Sequence, residues 1–209
     1  MKTLIAIPCM DTVPIPFFTS FVALRKPEGT NWAPLSNALL YDSRNIFSEN
    51  AIKAGYDRVL WLDSDMRFDP DLLERLSADM DENPGMKIVS ALYFKRRLPT
   101  TPVIYKTLDY GIENGIAKPT VETYLDYTKD ALFEVQGCGF GAVLTDVSVL
   151  REIWDNYGPP FQPMEHMGED LTFCYLAREL GHSIYCDSRV KCGHVGLYEY
   201  GEKDYCPTE

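Results

Sequence analysis

The chain has 209 residues, and 20 Lys+Arg against 31 Asp+Glu leave a formal charge of −11. Hydrophobic residues at 45% and charged residues at 24% are ordinary globular proportions, which exclude global disorder, and the length suits one domain that folds without staples. An acidic chain has no general grip on nucleic acid, which is held non-specifically by Lys and Arg on phosphates, and no apolar run reaches the roughly 18 residues of a membrane span.

The chain opens with Leu4 to Ile7, a short apolar run ended by Pro8, which reads as a buried strand. The apolar stretch of Met1 to Pro8 is too short for a signal peptide, so the expected location is cytoplasmic. A Pro-rich stretch (Pro14, Pro16, Pro27, Pro34) surrounds a short helix predicted from Phe17 to Leu24. Ser36 to Ala54 carries Leu39, Leu40, Ile46, Phe47 and Ile52 at near-helical spacing, and Gly55 stops it. Asp57 to Leu62 predicts a second buried strand, Asp69 to Met80 a helix with Pro70 in its first turn, and Lys87 to Leu92 a third strand. This alternation predicts an α/β fold whose central sheet is mostly parallel, with helices on both faces.

From Thr100 to Phe133 the rhythm changes. Short β-prone pieces, Val103 to Tyr105, Val121 to Tyr124 and Ala131 to Val135, predict a small antiparallel addition or a loop. Helices return at Asp146 to Trp154 and Glu169 to Leu180, with Asp146 as N-cap and Gly181 as C-terminal cap. Ser183 to Cys186 and Arg189 to Val195 read as strands, and residues 196–209 as a polar, Tyr-rich tail or lid. The six cysteines read as reduced, buried thiols. Three disulfides, or zinc held by Cys186, Cys192 and His194, are the alternatives.

The most informative segment is Val59-Leu60-Trp61-Leu62-Asp63-Ser64-Asp65. An apolar strand runs into two carboxylates one residue apart, at the end of a strand where open α/β sheets bind ligands. A hard divalent cation that bridges carboxylate and phosphate oxygens suits such a pair. The plainer alternative is that both acids cap the following helix, but Asp69 and Asp71 are better placed for that. After the third strand, Lys95-Arg96-Arg97 puts three positive charges at another strand end, either a solvated face or a place for a diphosphate. Arg44 shares a helix face with Leu40 and Phe47, where it pairs with Asp42, Asp63 or a phosphate.

In order along the chain stand Ile7-Pro8, Arg44-Asn45, Asp63-x-Asp65, Gly137-Cys138-Gly139-Phe140-Gly141, Gly168-Glu169-Asp170-Leu171 and Gly193-His194-Val195-Gly196. This ordered set resembles the nucleotide-sugar-dependent glycosyltransferases of the GT-A fold, in particular the family-2-like group and its short bacterial and phage-encoded members. The resemblance implies a GT-A (Rossmann-like) domain over residues 1–195. It implies a Mn²⁺ or Mg²⁺ ion on the donor diphosphate, with Asp65 as direct ligand, His194 completing the site, and Asp63 contacting the nucleotide or reaching the metal through water. Pro8, Met10, Asp11, Arg44, Ser64, Arg96, Arg97, Gly137 and Gly139 are implied around the donor, a UDP- or GDP-sugar. Asp170 is implied as the base that deprotonates an acceptor hydroxyl, with Glu169 orienting it, in an inverting transfer. Acids at a helix start also have a purely stabilising explanation.

Residues Cys9 to Pro14 depart from the group's Thr-Tyr-Asn pattern, and a downstream Gln-x-x-Arg-Trp motif is missing, as are membrane helices. Transfer of a single sugar is therefore expected rather than polymerisation. A nucleotidyltransferase, or a sugar-nucleotide binder without catalysis, is the alternative. The first would normally carry a Gly-rich basic loop after the first strand, where this chain has no basic residue before Arg25.

Overall fold

The computed structural model describes residues 1–113, 116–196 and 198–205. Its strands in chain order are β1 (Thr3–Pro8), β2 (Thr30–Leu35), β3 (Arg58–Leu62), β4 (Met66–Arg67), β5 (Ile88–Leu92), β6 (Ile104–Glu113), β7 (Ile116–Thr123), β8 (Leu132–Val135), β9 (Gly137–Cys138), β10 (Ala142–Asp146), β11 (Ile184–Lys191), β12 (Gly193–Val195) and β13 (Glu199–Tyr200). The helices are α1 (Ile15–Ala23), α2 (Leu40–Lys53), α3 (Leu72–Glu82), α4 (Val147–Tyr157) and α5 (Glu169–Glu179). Among the described residues, no helix is long and apolar enough to cross a membrane.

Seven strands form the central sheet in the order β2-β1-β3-β10-β5-β11-β8. The strands β1, β2, β3, β5 and β11 run one way, while β10 and β8 run the other, so the sheet is mostly parallel as expected. Side chains alternate between its faces. Leu4, Ala6, Val59 and Trp61 pack with Phe47 of α2, Leu150 of α4 and Phe173 of α5. Ile5, Ile7, Leu60 and Leu62 pack on the other face with Phe17 of α1 and Leu73 and Leu76 of α3. Strands buried on both faces explain the continuous apolar runs of β1 and β3.

Three differences from the sequence expectations concern elements near the site. The helix expected from Ser36 begins at Leu40, because residues 30–35 form the edge strand β2. Pro34 hid that strand, and an edge is where a strand accepts proline. Its far end agrees, since Gly55 takes φ 64° just past the helix. The strand β10 was also missed. Its Asp146 was expected only as the N-cap of α4, which it is, accepting from the Ser148 amide at 2.8 Å. Finally, the described residues form two small antiparallel sheets rather than one: β7-β6-β9, and β13-β12-β4.

The second small sheet matters for the site. Its register sets His194 opposite Met66, and the Val195 amide donates to the Asp65 carbonyl at 2.7 Å. Of the expected tail, residues 197 and 206–209 lie outside the described residues. Tyr205 packs against Phe94 and Tyr127, and Glu202 pairs with Lys191 at 2.6 Å. Cys9, Cys138, Cys174, Cys186 and Cys192 are free thiols, and Cys206 is outside the described residues. Burial pushes the Cys186 and Cys192 thiols up to about 12, and no group of three metal-ligating side chains occurs among the described residues, so the zinc alternative has no ligand set there.

Candidate active site

At the carboxyl end of β3, a turn carries Asp63, Ser64 and Asp65. The Asp63 amide donates to Gly141 O at 3.0 Å and the Met66 amide to Asp63 O at 3.2 Å. The turn forms one wall of a cleft of about 340 Å³, lined also by Pro8, Met10, Leu40, Arg96 and His194. Of the residues expected around a donor, Pro8, Met10, Ser64 and Arg96 are therefore brought together with Asp63, Asp65 and His194. Asp11 and Arg97 are exposed and do not line the cleft.

Asp65 and His194 face each other, with Nε2 3.4 Å from Oδ2. The His194 Nδ1 lies 2.8 Å from the Phe94 carbonyl, which only accepts, so Nδ1 is the donor. That leaves Nε2 facing a carboxylate oxygen, a contact that needs a proton or a cation between the two atoms. The same oxygen, Oδ2, also takes Arg96 Nη1 at 2.9 Å. Burial pushes the Asp65 carboxyl up, but His194 and Arg96 outweigh it and hold the pKa below its ordinary value.

Asp63 is differently engaged. Arg44 Nη2 donates to both of its oxygens, at 2.9 and 3.1 Å, while Nη1 donates to Glu169 Oε1 at 2.7 Å. The Arg44 side chain is only 2% exposed and its guanidinium lies over the Phe140 and Phe161 rings. Of the partners expected for Arg44 (Asp42, Asp63 or a phosphate), the structure gives it Asp63, and it adds Glu169 from a distant part of the chain. Its neighbour Asn45 accepts from the Phe161 amide at 2.8 Å. Consecutive residues of α2 thereby hold both ends of the segment leading to α5.

Glu169 and Asp170 open α5. With Glu169 tied to Arg44, Asp170 is the freer carboxylate. Its Oδ1 accepts from the Leu171 amide at 2.8 Å. Burial, then the Glu169 charge, pushes its pKa up to about 6 against the opposing pull of Arg44 and that amide. A carboxylic acid poised there exchanges a proton near neutral pH.

The glycine run has a packing explanation. A Cβ on Gly137 would press on Leu108 and Leu171, and one on Gly139 or Gly141 would collide with Tyr93. Neither Gly137 nor Gly139 lines the cleft. Tyr93, which no motif of its own marks, is buried behind the site. Its hydroxyl accepts from the Gly141 amide at 3.2 Å and its ring meets His194 edge-on at 5.5 Å. The nearby Gly139 and Gly141 were the available signal, since close backbone approach needs a large neighbour to explain it.

No family model and no curated protein matches the sequence. Solved structures do match its fold. A197 from STIV is 21% identical, with 94% of this chain and 86% of that chain covered and a TM-score of 0.67. GalNAc-T7, solved with UDP, GalNAc and Mn²⁺, is 12% identical at a TM-score of 0.58; all of this chain is covered, but only 45% of GalNAc-T7. The fold is therefore GT-A-like.

Proposed function

We propose that the chain is a glycosyltransferase that moves a sugar from a UDP- or GDP-sugar to an acceptor hydroxyl, with a divalent cation, Mn²⁺ or Mg²⁺, at the donor diphosphate. The observation that carries this reading is the pairing of Asp65 with His194 at the cleft, on a fold shared with a protein solved with UDP and Mn²⁺. The donor set fits such an ion. The Asp65 carboxylate and the His194 imidazole would hold it, and the diphosphate and water would complete its oxygen ligands. Asp63 belongs less to the ion than to Arg44, which holds both of its oxygens.

The cation supplies charge neutralisation to the departing nucleoside diphosphate. The chain's own residues do the rest. Pro8, Met10 and Leu40 provide apolar cleft surface for the nucleoside, and Arg96 provides positive charge beside Asp65. Arg44 fixes Asp63 and Glu169 relative to each other. Asp170 takes the proton of the acceptor hydroxyl as that oxygen attacks the anomeric carbon, from the face opposite the leaving group, so the product is inverted. Residues 1–195 form the catalytic unit in this reading, with the remainder a tail or lid.

Thermal unfolding with UDP-, GDP-, CMP- and dTDP-sugars, with Mn²⁺ or with EDTA, tests the proposal. A UDP- or GDP-sugar at 100 times its Kd is expected to stabilise the chain by about 2.7 kcal/mol, in the presence of the metal only. No shift with any of the four in Mn²⁺ would overturn it.

A further inference from the structure

The Asp65 carboxylate has two claimants for one oxygen. His194 Nε2 faces Oδ2 at 3.4 Å, and Arg96 Nη1 is already on it at 2.9 Å. A cation held between Asp65 and His194 must bind that oxygen, and a positive guanidinium beside it opposes the cation by charge and by occupancy. Arg96 is free to leave. Its side chain is 50% exposed, and it sits between Lys95 and Arg97 in a short turn where the Lys95 amide donates to Thr101 O and the Arg97 amide to Lys95 O, both at 2.9 Å. These backbone bonds do not depend on where the Arg96 side chain lies. Arg44, the other cation of the site, has no such freedom, being buried between Asp63 and Glu169.

We propose that Arg96 holds the cation's place on Asp65 and is displaced onto the diphosphate when metal and nucleotide arrive together. The inference rests on the donor-site reading above. Arg96 then carries two opposite effects. It weakens the binding of a bare cation, because its own ion pair must break first. It strengthens the binding of the cation–diphosphate pair, because the released guanidinium meets phosphate oxygens, to which its fork is matched. Cation and nucleotide therefore bind with positive coupling, and by linkage each raises the affinity of the other by one common factor. A chain built in this way does not gather metal at a site that lacks donor.

Mn²⁺ binding followed by electron paramagnetic resonance, with no nucleotide and with saturating UDP or GDP, tests this. Wild type is expected to bind Mn²⁺ weakly alone and more tightly with one of the diphosphates. Arg96→Gln is expected to bind Mn²⁺ alone about 2- to 10-fold more tightly, the range of a partly exposed ion pair, and to lose most of the enhancement by nucleotide. Arg25→Gln removes the same charge from a surface pair with Glu74, away from the cleft, and is expected to match wild type. If Arg96→Gln binds bare Mn²⁺ no more tightly than wild type, or keeps the full enhancement, Arg96 is not a placeholder although the donor site stands. If wild type binds no Mn²⁺ with either diphosphate, the donor-site reading fails and the inference fails with it.

Discussion

In the proposed reaction, Asp170 is the side chain on which the chemistry turns. Its pKa of about 6 comes from burial beside Glu169, so the carboxylate form grows in as pH rises through that value. A base works only as the carboxylate. Donor turnover is therefore expected to rise about tenfold per pH unit below pH 6 and to level off above it, read from a pH–rate profile. Asp170→Asn keeps the shape and removes the basicity. It is expected to lower turnover about 100- to 10,000-fold while UDP or GDP still binds, as titration calorimetry will report. Arg44 answers to a different assay. Removing it as Arg44→Met leaves Asp63 and Glu169 facing each other without compensation, and unfolding in urea is expected to show a loss of about 3–5 kcal/mol.

Among the elements, the glycine turn before β10 is as constrained as any catalytic residue. Gly139→Ala places a Cβ against Tyr93, and overpacking of that kind destabilises by about 1–3 kcal/mol. Thermal unfolding checks this, and Gly139→Ala combined with a smaller residue at Tyr93 is expected to recover part of the loss.

The elements also show what the amino-acid order reveals and what it conceals. β1, β3 and β5 were legible because strands buried on both faces are apolar throughout, and α4 and α5 because Asp146 and Gly181 mark an end of each. The acidic turn after β3 was legible for a related reason, since an apolar strand seldom ends in two carboxylates without cause. The strand β2 was not, because an edge strand with Pro34 and three exposed positions follows no apolar alternation. Arg44 was recognised as an unusual helix residue, yet its partner Glu169 stands 125 positions away. Tyr93 carries no local mark of its own: its contacts with Gly141 and His194 arise from tertiary packing, and the glycines of that turn were the one indirect sign.

Across the chain, negative charge predominates, and one consequence lies far from the cleft. Asp79 of α3 and Asp187 of β11 are buried side by side, with Arg189 bound to both at 2.9 and 2.7 Å. Burial, then the Asp187 charge, pushes Asp79 up to about 6 from 3.8, against the pull of Arg189 and Arg75. A carboxyl whose pKa is higher folded than unfolded contributes stability that is fully present below the unfolded value and lost as pH rises through the folded one. Asp79→Asn is therefore expected to raise the unfolding midpoint at pH 7 to 8 and to leave it nearly unchanged at pH 4, in parallel scans with wild type. An equal shift at both pH values would mean that the carboxyl does not titrate in this window.

In the proposed reaction the same excess of acid makes the positive charge at the cleft matter, because a donor diphosphate would reach Asp65 only where Arg96 and a metal ion offset it. The most direct test is the release of nucleoside diphosphate from the stabilising sugar nucleotide, followed over time for wild type and Asp65→Asn in Mn²⁺ and in EDTA. Wild type is expected to release it in Mn²⁺ alone, and Asp65→Asn in neither condition. Release by wild type at the same rate in EDTA, or by Asp65→Asn at the wild-type rate, would contradict a metal-dependent donor site at the end of β3.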